Sequence, residues 1–93
     1  MSRSVISASL VDASTYEVVV AGDTETTHRV RMSPDYYKKL SGSQFTHEWV
    51  LIQAFQFLLE REPNTSILRE FDLSVINRYF PEFEREMGKR LGR

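Results

Sequence analysis

Apolar residues crowd one segment of the chain, Thr46 to Glu60 (THEWVLIQAFQFLLE). At about 100° per residue, Gln53, Gln56 and Glu60 share one narrow stripe of a helix. Val50, Leu51, Ile52, Ala54, Phe55, Phe57, Leu58 and Leu59 fill the rest, an arc of roughly 220°. An ordinary surface helix needs an apolar stripe of only ~100° or somewhat more. The segment therefore reads as a helix covered on two sides, by its own chain or by a second copy. Trp49 falls inside the polar stripe. Either the C-terminal segment folds back over it, or the ring is exposed as an interface anchor.

Upstream the period changes from helical to two. Tyr16 to Ala21 (YEVVVA) and Thr26 to Met32 (TTHRVRM) flank the turn residues Gly22-Asp23-Thr24, which predicts a β-hairpin. A three-residue loop pairs Ala21 with Glu25. It sets Tyr16 opposite Val30, Glu17 opposite Arg29 and Val18 opposite His28. Tyr16, Val18, Val20, Thr26, His28, Val30 and Met32 then share one face. A two-residue turn would shift the register by one and mix the faces. Residues 4–11 (SVISASLV) fit either a third strand or a loose arm.

Ser33-Pro34-Asp35 opens a short helix, with Ser as N-cap, Pro at the first position and an acid in the first turn. Ser41-Gly42 closes it. Thr46 caps the long helix and Glu62-Pro63 ends it. Ser66 to Phe71 reads as one loose helical turn. Asp72 caps a further helix carrying Leu73, Ile76 and Phe80, and Pro81 interrupts it. A last helix places Phe83 and Met87 on one side, and its ordered part is expected to stop at Gly88, leaving residues 88–93 frayed.

Composition narrows the function classes. The chain has 93 residues, enough for a single domain that buries about two thirds of its unfolded surface. It contains no cysteine, which excludes disulfides, thiolate metal sites and thiol catalysis and fits a cytoplasmic home. The net charge of −1 exerts no overall pull toward nucleic acid or an anionic membrane. Neither a secretory signal nor a membrane span is expected.

Candidate chemistry is sparse. His28 and His47 lack any HxxxH or HExxH spacing, so no metal site is expected. The bland readings are a cross-strand partner at a sheet edge for His28 and an exposed first-turn residue for His47. No nucleophile motif or phosphate-binding glycine loop occurs. Neither a cofactor nor an enzymatic role is expected. Tyr36 and Tyr37 are adjacent on a short helix, so they cannot both face the core. Tyr37 is expected to pack with Leu40, leaving Tyr36 at least half exposed. Thr27, Arg29 and Arg31 form a small basic stripe on the outer face of the hairpin.

The run from His28 to Glu60 has a strand with alternating arginines, Ser-Pro opening a short helix, and a glycine turn. Thr46 then caps a helix of the form T-x-x-x-[VIL]-x-x-x-A-[FL]-x-x-L. It resembles a ribbon-helix-helix DNA-binding module. The resemblance implies a dimer in which Thr27, Arg29 and Arg31 enter the major groove while Thr46 and His47 approach a phosphate. Here the strand has a local partner in Tyr16–Ala21, and Glu17 faces Arg29. The C-terminal half, with Arg61-Glu62-Pro63 and Tyr79-Phe80-Pro81-Glu82, is similar to short bacterial proteins of unassigned function and implies no activity.

Together these patterns predict an α+β domain: an N-terminal β-hairpin on a long central helix, covered by C-terminal helices. The expected function is non-catalytic protein interaction. Binding of a partner or of a second copy would use the Trp49 surface (with Gln53, Gln56 and Tyr36) or the open hairpin edge. A dimeric DNA-binding regulator is the alternative.

Overall fold

The computed structural model describes residues 5–92. Met1–Ser4 and Arg93 lie outside the described residues, and with them the first part of the segment that fits either a strand or a loose arm and the last of the expected frayed end.

The chain folds as α+β, and the described residues form a sheet in the order β1-β2-β3-β4 and four α-helices. The strands β1 (Val5–Asp12), β2 (Thr15–Ala21) and β3 (Thr26–Arg31) form an antiparallel meander. The β2–β3 register is the one the chemistry of the faces requires: Tyr16 opposes Val30, Glu17 opposes Arg29 and Val18 opposes His28. One face of these strands is buried through Tyr16, Val18, Val20, Thr26, His28, Val30 and Met32. A one-residue slip would turn all of them to solvent.

Residues 4–11 resolve in favour of a strand over the described part. β1 adds to the hairpin through Ala8↔Val18 and its neighbours, and Ile6 and Ala8 lean on the core. The register shifts between Leu10 and Asp12, so Val11 is the extra residue of a β-bulge.

Two caps set the helices after β3. Ser33 Oγ accepts from the Tyr36 amide at the start of α1 (Pro34–Ser41), and Gly42 ends it with φ 64°. That conformation costs a glycine nothing, because it lacks a Cβ. Thr46 Oγ1 accepts from the Trp49 amide to start α2 (His47–Leu59). At 13 residues, α2 is shorter than the segment suggested by periodicity. Its Val50, Leu51, Ala54, Phe55 and Phe57 are fully buried. Each large apolar side chain so removed from water stabilises the fold by about 1.5–3 kcal/mol. The helix packs against β1, and the Phe55 ring reaches His28 at 5.3 Å and Phe71 at 6.1 Å.

Residues 66–71 depart from the expected helical turn. A 3-10 turn spans Asn64–Ser66, after which the chain extends into β4 (Glu70–Asp72). β4 pairs in parallel with β3 through Arg29↔Glu70, Val30↔Phe71 and Arg31↔Asp72, and the Arg29 amide donates to the Arg69 carbonyl at 2.7 Å. The extended form satisfies the second side of β3, whose amides and carbonyls would otherwise lack partners. Asp72 then caps a 3-10 turn, Leu73–Val75, that continues into α3 (Ile76–Tyr79).

The last helix, α4 (Phe83–Arg90), runs past Gly88, and Leu91 is buried beyond it. The expected fraying at Gly88 is overridden by anchors on both sides of it. Met87 and Leu91 enter the core, and the Arg90 guanidinium donates to Glu60 Oε1 at 2.6 Å. Phe83 and Phe80 meet the Phe57 ring at 5.1 and 5.9 Å.

Candidate functional site

The polar stripe of α2 divides along its length. At its C-terminal end Glu60 is taken by Arg90, and this hydrogen bond holds its carboxyl below the usual carboxylate range. Arg61 joins Glu60 to Glu82 and lies over the Phe57 ring at 3.6 Å. These interactions fasten α4 to the far end of α2. At the near end Trp49 is left 44% exposed, beside an exposed Gln56 and a half-buried Gln53. The C-terminal helices therefore do not close over the Trp49 ring. It stands on the first turn of α2, which the Thr46 cap fixes.

Tyr36 is half-buried, and its hydroxyl is engaged. It donates to Glu84 Oε2 at 3.0 Å, while Lys39 pairs with Glu84 Oε1 at 3.1 Å. Burial first, then the Glu84 hydrogen bond and the nearby carboxylates, push its pKa up. The pair ties α1 to α4, so Tyr36 is a structural strut here rather than a solvated surface tyrosine. Tyr37 hydrogen-bonds the Phe45 carbonyl and packs its ring 4.0 Å from that of His47.

His47 is not the exposed first-turn residue expected. Its Nδ1 is hydrogen-bonded to the Tyr16 hydroxyl, joining the start of α2 to β2. Burial, then Glu48 and Tyr37, raise the Tyr16 pKa, which keeps that hydroxyl protonated. The two side chains that the ribbon-helix-helix resemblance offers to a phosphate are thus both engaged, Thr46 in its cap and His47 on Tyr16.

Thr27, Arg29 and Arg31 do share the outer face and are exposed. Acids flank them: Glu17 and Glu70 sit beside Arg29 in register, and Asp72 sits beside Arg31. Glu17 and Arg29 face each other without an ion pair among the described residues. The strand that carries the arginines is interior, with β2 on one side and β4 on the other.

That interior position also corrects the reading of His28, which is fully buried rather than at a sheet edge. Its Nδ1–H donates to the Leu68 carbonyl at 2.8 Å, and Nε2 accepts from Thr26 Oγ1 at 2.9 Å. Asn64 Nδ2 in turn donates to Thr26 Oγ1 at 2.9 Å. Every polar atom of the imidazole is satisfied in its neutral form, and burial pushes its pKa down. The network pins the segment leading into β4 against β3.

Two surfaces went unforeseen in detail. One is an open, mainly apolar notch of about 220 Å³ between α3 and the segment before β4, with Leu68, Phe71 and Tyr79 among its lining residues. The other is the free edge of β1. Among the described residues no strand but β2 pairs with β1, and Val5, Leu10 and Val11 are 65%, 57% and 43% exposed. No charged residue interrupts Val5 to Val11. That absence of charge was the signal in the sequence, and only the strand assignment gives it meaning.

Among the described residues no three His, Asp or Glu side chains converge as a metal site, and no helix is long and apolar enough to cross a membrane. Compared with known proteins, the chain matches no protein-family model, no curated protein and no solved structure.

Proposed function

We propose that this protein is a non-catalytic interaction module that binds protein through the free edge of its sheet and the exposed Trp49 surface of α2, the helix that packs on β1. The observation that carries this reading is the edge itself. β1 is eight residues long, unpaired on its outer side among the described residues, and uncharged up to Asp12. Soluble proteins ordinarily blunt such an edge with charge, proline or a covering element, because its unpaired amides and carbonyls template another strand. Strand addition at an exposed edge is an established mode of protein recognition. The hairpin on its central helix, with α4 fastened to the helix's far end, is the scaffold in this reading. Phe55 against His28 and Phe57 against Phe83 support that arrangement. The absence of catalysis is part of the proposal. It is supported by the engagement of His28, His47, Tyr16 and Tyr36 in bonds that hold elements together.

The second reading, a DNA-binding regulator, rests on the exposed Thr27–Arg29–Arg31 face. It would have to work with acids beside both arginines and without a free β3 edge. One experiment separates the two: sedimentation across a range of concentrations at low and high salt, with and without a random-sequence DNA duplex. The interaction module self-associates independently of salt or stays monomeric, and in both cases ignores the duplex. A regulator binds the duplex with an affinity that falls steeply with salt and drops on Arg31→Ala. Salt-sensitive, Arg31-dependent binding would overturn the proposal.

A further inference from the structure

The edge strand is chemically symmetric about its centre. From Val5 the chain reads Val-Ile-Ser-Ala-Ser-Leu-Val, so each position before Ala8 is matched by a like residue the same distance after it. An antiparallel pair formed by this strand with its own copy, with the two-fold axis at Ala8, sets Ala8 against Ala8. It also sets Ser7 of one copy against Ser9 of the other, and Ile6 of one against Leu10 of the other. These pairs fall in the part of β1 that runs in regular register with β2, from Val5 to Leu10. The bulge affects only the outermost match, Val5 with Val11.

The faces agree as well. In this register even-numbered residues oppose even-numbered ones, so side chains on the helix side of one copy meet the helix side of the other. Leu10 lies on the same face as the buried Tyr16, which it opposes, yet it is 57% exposed. Pairing would place it beside Ile6 of the second copy, which is partly buried against that copy's core. Serine and alanine at the centre leave room for close backbone approach. Charge does not oppose the pairing, since Asp12 lies beyond the matched segment.

We infer that the occupant of the edge is a second copy of this chain, joined β1 to β1 in antiparallel register about Ala8, so that two four-stranded sheets become one. The interface is isologous, the arrangement by which most homodimers close. α2 packs on β1, so the α2 helices of the two copies flank the axis on the same face of the joined sheet. This deepens the proposed function and rests on its assignment of the β1 edge as the binding surface.

The absence of cysteine makes the register directly testable. Ser7→Cys and Ser9→Cys variants are prepared separately, then oxidised mildly either alone or as a mixture. Opposed residues in antiparallel strands have Cα atoms roughly 4.5–5.5 Å apart, within disulfide reach. A residue and its own copy, one diagonal step away, lie at about 7–8 Å, too far to bridge. The expected result is a cross-linked dimer in the mixture and none from either variant alone. The unoxidised protein should sediment as a dimer. Leu10→Lys, at an exposed position that the isolated subunit does not need, should weaken self-association roughly tenfold, because two copies of a cross-strand apolar pair are lost. A dimer that fails to cross-link selectively in the mixture overturns the register. A dimer indifferent to Leu10→Lys but lost on Trp49→Ala places the contact on α2 and overturns the β1 pairing. A monomer at millimolar concentration overturns the inference altogether. The proposed function falls on different evidence, Arg31-dependent DNA binding.

Discussion

The two edges of the sheet are built on opposite principles. The β4 edge is three residues long, Glu70–Asp72, carries an acid at each end, and runs straight into the Asp72-capped turn. The β1 edge is eight residues long, uncharged up to its last residue, and shows three large apolar side chains to solvent. Short length and charge are the usual means of protecting an edge from further pairing. One chain therefore applies these devices at one side of its sheet and omits them at the other. The difference separates a side that only completes the fold from a side left available to another strand.

The largest perturbation strikes what both edges share. Leu58 is buried on α2, and Leu58→Asp puts an unpaired charge among Leu, Ile and Phe side chains. The expected loss is several kcal/mol, enough to unfold a domain of this size. Circular dichroism should show no cooperative thermal transition, and a melt like that of the wild type would refute the placement of α2 in the core.

A smaller effect is confined to the β4 side. Asp72 Oδ1 accepts from the Ser74 amide at 3.0 Å and from its hydroxyl at 2.7 Å. Removing the cap in Asp72→Ala should cost about 1 kcal/mol in a urea melt. The mass in solution should not change, because the proposed pairing uses the β1 edge and leaves this one out. A change in oligomeric state on Asp72→Ala would mean that the comparison has the edges reversed.

Acid should weaken the same side. His28 is buried neutral, and its pKa in the fold lies below its ordinary value of about 6.5. The unfolded chain therefore binds this proton first as pH falls. The contribution of neutral His28 is complete above about pH 6.5 and is lost as pH drops from there toward the lower folded value. The melting temperature should be level between pH 8 and 7 and decline below about 6.5, ahead of the carboxylate range near 4. Hydrogen exchange at β3 and β4 should rise first. A decline of the same size in His28→Gln would assign it to other groups.

Much of this was legible in residue patterns. The β2–β3 register followed from matching faces, and Ser33, Thr46 and Asp72 announced their caps. β4 was not legible, because Ile67 and Phe71 at helical spacing look like one turn of helix. Its extended form is imposed by β3, whose free side needed a partner. That omission also misplaced His28, which is interior only because β4 exists. Gly88 suggested a helix end by local propensity, while Met87, Arg90 and Leu91 hold the helix together by tertiary anchors. At the site, the helical wheel placed Trp49 on the polar stripe without deciding its cover. The answer depends on α4 packing at the Phe57 end instead. Tyr36 carried no sign of Glu84, which lies on a helix distant in sequence.

The smallest effect on the folded subunit should come from Leu10→Lys. Leu10 is 57% exposed, and a substitution at such a site ordinarily changes stability by less than about 0.5 kcal/mol. The same substitution should have the largest effect on assembly, which makes it the most direct test of the β1 edge. Light scattering during gel filtration of the wild type and of Leu10→Lys gives the mass of each. Over a dilution series the wild type should run at twice the 10.9 kDa of the chain, and Leu10→Lys should fall to the chain mass at a roughly tenfold higher concentration, with an unchanged melt. Dissociation of both proteins at the same concentration, or a monomer in both throughout, would contradict self-association through β1.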